Sequence, residues 1–97
     1  MPSKILIADD EAFIRLLIVQ TFEEVEDQGT LLFTADNGLE ALQIIRREKP
    51  EMVFLDVMMP KLNGFEVCQL VKHDDNLRHT FVVLLTAKGQ ELDRLNG

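Results

Sequence analysis

Residues 4–11 read Lys4-Ile5-Leu6-Ile7-Ala8-Asp9-Asp10-Glu11, an unbroken apolar run closed by three acidic side chains. A strand with one wet face would alternate apolar with polar, so a continuous run predicts a strand covered on both faces, as in a parallel sheet. The acidic triplet is then expected to open a helix to about residue 26, because Asp is a favoured N-cap and negative charge suits the positive end of a helix.

Outward from this stretch, short apolar runs alternate with amphipathic segments along the whole chain. A second strand is predicted over 30–35, then a turn at Asp36-Asn37-Gly38 and a helix over 39–49 that Pro50 ends. A third strand over 52–55 closes on Asp56, and a loop containing Met59-Pro60 and Asn63-Gly64 leads into a helix over 65–73. A polar connection over 74–79 precedes a fourth strand, Phe81-Val82-Val83-Leu84-Leu85, and a fourth helix is expected over 88–96.

Strands alternating with helices predict an α/β fold around a parallel sheet. Right-handed crossovers and short connections favour the doubly wound arrangement with strand 1 between strands 2 and 3: a flavodoxin-like three-layer α/β/α sheet of order 2-1-3-4. Sites in such sheets form beyond the carboxyl ends of the strands where the order reverses, here between strands 1 and 3. Asp9 and Asp10 end the first of these and Asp56 ends the third. Three carboxylates distant in sequence are thereby expected to converge.

Composition narrows the function. The 97 residues, 46% of them hydrophobic, suffice for one domain with a radius of gyration of ~13 Å and for no second core. Seventeen acidic against ten basic residues, a formal charge of −7, repel phosphate backbones and anionic membranes, which excludes direct nucleic-acid binding through charge. With no Trp or Tyr there is little for stacking on bases. The single Cys68 makes no internal bridge and no apolar run is long enough to span a bilayer, so a soluble, reducing, cytoplasmic setting is expected.

Taken alone, Asp9-Asp10-Glu11 also suits a helix cap, and an Asp after a strand suits a turn. Clustered at one sheet edge, however, three anions are costly without a cation or a proton. Carboxylates that leave positions open for water and a phosphate oxygen fit Mg²⁺, a hard ion that keeps part of its hydration. Zinc is disfavoured, since Cys68 is solitary and His73 and His79 lie beyond a helix and loop. An aspartate held against Mg²⁺ can itself act as nucleophile and take a phosphoryl group. Thr86, after strand 4, offers a hydroxyl at the same edge, and its position suits a helix N-cap equally.

These residues carry a family resemblance. Ile5-Leu6-Ile7-Ala8-Asp9-Asp10-Glu11, Ala35-Asp36-Asn37-Gly38-Leu39-Glu40-Ala41-Leu42, Asp56-Val57-Met58-Met59-Pro60-Lys61-Leu62-Asn63-Gly64 and Leu85-Thr86-Ala87 stand in the order and spacing of a receiver domain. The chain thus resembles the phosphoacceptor domain of two-component response regulators from end to end. The resemblance implies that Asp56 accepts a phosphoryl group from a histidine kinase or histidine phosphotransfer protein. It also implies that Asp10, Asp56 and the backbone carbonyl of Met58 bind Mg²⁺ directly while Asp9 acts mainly through bound water. Thr86 becomes the switch hydroxyl that moves to the phosphoryl oxygen and shifts the helix after strand 4. The implied role is phosphorelay signalling and not turnover as an enzyme.

The family pattern continues into a fifth strand bearing a lysine that pairs with the phosphate, a switch aromatic and a fifth helix, and none of these lies within residues 1–97. The expectation is one receiver domain lacking its last βα unit, with Lys88 an exposed residue at the site margin and not that lysine. The strand over 81–85 then becomes an edge without Pro or charge, which invites pairing with another chain. A dimer or swapped oligomer through the fourth strand is expected, or a longer natural protein. Two other functions fit less of the sequence: a receiver-like binding module without phosphorylation chemistry, and a metal-dependent phosphohydrolase. The latter needs a general acid just after the nucleophile, where Val57 and Met58 stand.

Elsewhere, Ile14, Ile18, Phe22 and Val25 form the inward stripe of the first helix with Leu17 at its edge. Phe13, Leu16 and Val19 are expected outward, as part of a partner surface. Cys68 is read as a small buried hydrophobe, His73 as a helix C-terminal dipole partner and Met58 as lining the mouth of the site.

Overall fold

The structure, a computed structural model, describes residues 3–25 and 29–85, and for 22–25 the backbone alone. Its elements in chain order are β1 (Lys4–Ala8), α1 (Ala12–Val25), β2 (Leu31–Ala35), α2 (Gly38–Glu48), β3 (Met52–Asp56), α3 (Gly64–Lys72) and β4 (Phe81–Leu85). All strand pairs are parallel and the order is β2-β1-β3-β4, as the alternation of strands and helices predicted. The helix expected over 88–96, Thr86 and Lys88 lie outside the described residues.

β1 runs between two neighbours, with Leu6 opposite Phe33 on one side and Val53 on the other. Its residues from Ile5 to Ala8 are all buried, which accounts for the unbroken apolar run. Leu6, Ala8, Val53 and Leu55 pack with Ala41, Leu42 and Ile45 of α2 and Val67 and Val71 of α3. The alternate residues Ile5 and Ile7 face the other layer, where α1 lies on β1. Each fully buried Leu or Ile contributes about 1.5–3 kcal/mol, so this two-sided burial holds the strand end that carries Asp9. The radius of gyration is 12.9 Å, against an expected ~13 Å.

Two helices start one residue earlier than predicted because an asparagine caps each. Asn37 Oδ1 accepts from the Glu40 N–H at 2.8 Å, and Asn63 and Glu66 form a reciprocal capping box with both bonds at 2.9 Å. The first helical residues, Gly38 and Gly64, must be small. A Cβ on Gly38 would lie 1.8 Å from the Leu62 carbonyl oxygen, and one on Gly64 2.6 Å from that of Asp56. These backbone-on-backbone contacts bind the 57–63 loop to the ends of β2 and β3.

α1 departs further from expectation. It begins at Ala12, because the Asp9 carboxylate accepts from the Glu11 N–H at 2.8 Å and so closes a turn ahead of the helix. Ile14 and Ile18 are half-buried as the stripe required, and Phe13, Leu16 and Leu17 are exposed. Val19, expected outward, is half-buried; with Ala12, Arg15, Leu16 and Thr34 it lines a hollow where α1 overhangs β2. Phe22 and Val25 fall among the side chains not described. Cys68 is half-buried, not fully enclosed. Among the described residues no helix is long and apolar enough to cross a membrane.

Candidate functional site

Asp9 and Asp10 follow the last residue of β1, and Asp56 is the last residue of β3, the strand beside it. Each offers a carboxylate oxygen, and these oxygens all lie within 4.8 Å of one another. The convergence expected at the reversal of strand order is therefore present. Asp9 and Asp56 are each only 4% exposed, whereas Asp10 faces solvent.

Asp9 is held through its N–H, its Oδ1 and its carbonyl. Its N–H donates to the Ala35 carbonyl at 3.0 Å, its Oδ1 accepts from Glu11 and its carbonyl accepts from Arg15 Nη1 at 2.7 Å. Asp56 Oδ1 accepts from the Met58 N–H at 3.2 Å. The Val57 N–H donates to the Leu85 carbonyl at 2.9 Å, which ties the loop after Asp56 to the end of β4. Met58 is exposed beside the acidic cluster, as expected for a residue at its mouth, while Met59 is buried in the core.

The carboxyl of Asp56 is pushed up to about 6, first because burial removes it from water and then because Asp9 and Asp10 add negative charge beside it. The Met58 N–H works in the opposite direction. This site holds more negative charge than its surroundings relieve. Three hard oxygen donors with one face open to solvent fit a small, partly hydrated divalent cation, so the residues suit Mg²⁺. The histidines stand apart from this group: His73 Nδ1 lies 2.8 Å from the Gln69 carbonyl at the end of α3, and His79 lines a surface hollow with Lys49 and Pro50.

Arg15 escaped the sequence reading. A basic residue in the first turn of a helix stands at the wrong end of its dipole, and that was the signal available.

Comparison with known proteins agrees with this geometry. The family model described as the response regulator receiver domain matches residues 5–97. The probable transcriptional regulator ycf27 of Porphyra purpurea is 44% identical over 97% of this chain, which spans 36% of that protein's length. Sporulation initiation phosphotransferase F of Bacillus subtilis is 41% identical, over 98% of this chain and 72% of its own. Among solved structures, the N-terminal domain of a response regulator receiver protein from Methanoculleus marisnigri superposes with a TM-score of 0.78 at 31% identity, over 96% of this chain and 76% of that one.

Proposed function

The chain belongs to the response regulator receiver domain family, and from that premise we propose that residues 1–97 act as a single phosphoacceptor domain whose acceptor is Asp56. The convergence of Asp9, Asp10 and Asp56 within 4.8 Å is the observation that carries this reading. Asp10, Asp56 and the Met58 carbonyl would hold Mg²⁺, with Asp9 contributing through bound water. When bound, the ion supplies charge neutralisation for the cluster and for the oxygens of the incoming phosphoryl group.

The protein's own part is to place and aim the nucleophile. An Asp56 carboxylate oxygen attacks the phosphorus of a phosphohistidine on a histidine kinase or phosphotransfer protein. An O–P bond forms, the N–P bond breaks, and the departing imidazole keeps the electron pair and takes a proton from solvent. Burial of Asp56 favours this step, because a poorly hydrated carboxylate has less solvent to shed as it reacts. Thr86, the next residue after the Leu85 that pairs with Asp56, is the hydroxyl we assign to the phosphoryl oxygen. The domain is a cytoplasmic signalling module that accepts one phosphoryl group and changes its partner contacts, with no turnover of its own.

The decisive experiment is incubation with Mg²⁺ and acetyl phosphate followed by intact mass. A single phosphoryl adduct, absent in Asp56→Ala and in the presence of a chelator, is expected. A folded protein that never gains the adduct from acetyl phosphate or a phosphorylated histidine donor rejects the reading in favour of a binding module without this chemistry.

A further inference from the structure

Arg15 has a placement that neither helix propensity nor phosphate chemistry explains. It is the fourth residue of α1, where a cation opposes the helix dipole, yet its side chain folds back over six residues and is half-buried. Among the described residues no carboxylate lies within ion-pairing distance of it, although it shares a hollow with Asp36 and Glu40. Its bond goes instead to the Asp9 carbonyl oxygen at 2.7 Å, a short contact for a charged donor.

That oxygen belongs to the Asp9–Asp10 peptide. Because the peptide is planar, fixing its carbonyl fixes the plane from which the Cα of Asp10 departs. Asp9 is already anchored through its N–H and its carboxylate, so the bond from Arg15 adds little to holding Asp9. The residue that stands to gain is Asp10, the exposed member of the cluster and the one that follows the pinned carbonyl.

We infer that Arg15 is a positioning residue for the metal site, holding the Asp9–Asp10 peptide so that the Asp10 carboxylate stays aimed at Asp56. The inference rests on the reading that Asp10 and Asp56 hold Mg²⁺. It makes a prediction of sign, because a nearby positive charge acting only through space repels Mg²⁺, and its removal would tighten binding. Loss of a positioning bond weakens binding instead.

The test is a Mg²⁺ titration of the whole chain followed by NMR, on the unmutated protein, Arg15→Met, Arg15→Lys and Asp10→Ala. Arg15→Met is expected to weaken Mg²⁺ about tenfold, as loss of an outer-shell partner does elsewhere, and Arg15→Lys, which keeps a cationic donor, to recover most of that loss. Folded Arg15→Met with unchanged or tighter Mg²⁺ binding overturns the inference, as does a lysine variant no better than methionine. Should Arg15→Met fail to fold, the guanidinium protons of Arg15 in the unmutated protein serve in its place. They are expected to shift along the same saturation curve as the Asp10 amide, and a guanidinium signal indifferent to Mg²⁺ overturns the inference. An unmutated protein whose Mg²⁺ response equals that of Asp10→Ala refutes the parent reading of the metal site, and the role of Arg15 falls with it.

Discussion

The two ends of the same sheet handle charge in opposite ways. At the amino end, Lys4 Nζ meets Glu48 Oε1 at 3.1 Å and Arg47 Nε meets Glu48 Oε2 at 2.9 Å. The hydrogen bonds from Arg47 and Lys4 hold the Glu48 carboxyl below its ordinary value. There the Glu51 N–H donates to the Lys4 carbonyl, the Phe81 N–H to the Glu51 carbonyl, the buried Thr80 hydroxyl to the Pro50 carbonyl and Lys72 Nζ to the Thr80 carbonyl. At the carboxyl end three aspartates crowd together and Asp56 is pushed up to about 6. One end is electrostatically satisfied and supports the fold. The other keeps charge unrelieved, a cost that natural sites bear when they are built to receive something else.

The sharpest way to break this contrast is to neutralise its most strained member. Without Mg²⁺, Asp56→Asn is expected to stabilise the protein at pH 7, with an upper bound of about 3 kcal/mol if the whole shift is recovered. The sign follows from proton binding. Because its carboxyl is raised in the folded state, folded Asp56 holds a proton between pH ~4 and ~6 where the unfolded chain has lost it. Stability of the unmutated protein therefore falls as pH rises through that window, and that contribution is absent in Asp56→Asn. Urea unfolding at several pH values reads both, and a variant less stable at pH 7 would contradict the contrast.

Gly38→Ala tests the frame around the charged end. The new Cβ must push Leu62 aside, and a loss of about 1–3 kcal/mol is expected in the same unfolding assay. Relieving the charge with the proposed ion should act next. Mg²⁺ at ten times its Kd is expected to add about 1.4 kcal/mol to the unmutated protein and far less to Asp10→Asn, a difference visible as a shift in Tm. At the satisfied end, Thr80→Val leaves the Pro50 carbonyl without its hydroxyl donor and should cost about 1 kcal/mol. Smallest of all, Glu48→Gln should lower Tm only marginally, and the difference should vanish in high salt, since this pair is open to water.

Much of the fold was legible because it rests on local signals. The run from Ile5 to Ala8 announced a strand buried on both faces, and Pro50 and the two Asn-Gly pairs marked helix boundaries to within a residue. The acidic site was legible for a related reason: an aspartate placed directly after an apolar strand must sit at the strand's carboxyl end, wherever the strand goes. Other features depend on partners distant in the chain. Gly38 reads as a turn glycine until Leu62 is seen against it. Thr80, between the polar connection over 74–79 and the fourth strand, had no assigned role, yet it is buried with its hydroxyl on the Pro50 carbonyl. Val19 looked outward by helical period, but the overhang of α1 on β2 shelters it. Arg15 reaches back six residues, a span outside the three- and four-residue spacing by which helix neighbours are read.

The sequence by itself determined that strands and helices alternate, that the sheet is parallel, and that Asp9, Asp10 and Asp56 stand at strand ends with too much negative charge for a neutral role. Periodicity and end signals are local, so they survive translation into a string of letters. Only the tertiary structure decided that the three carboxylates share one small volume, that Asp56 is buried enough to be raised to about 6, and that Arg15 pins the peptide between two of them. Those outcomes depend on how closely separate segments approach and on what excludes water between them, and distance and dielectric exist only once the chain has packed.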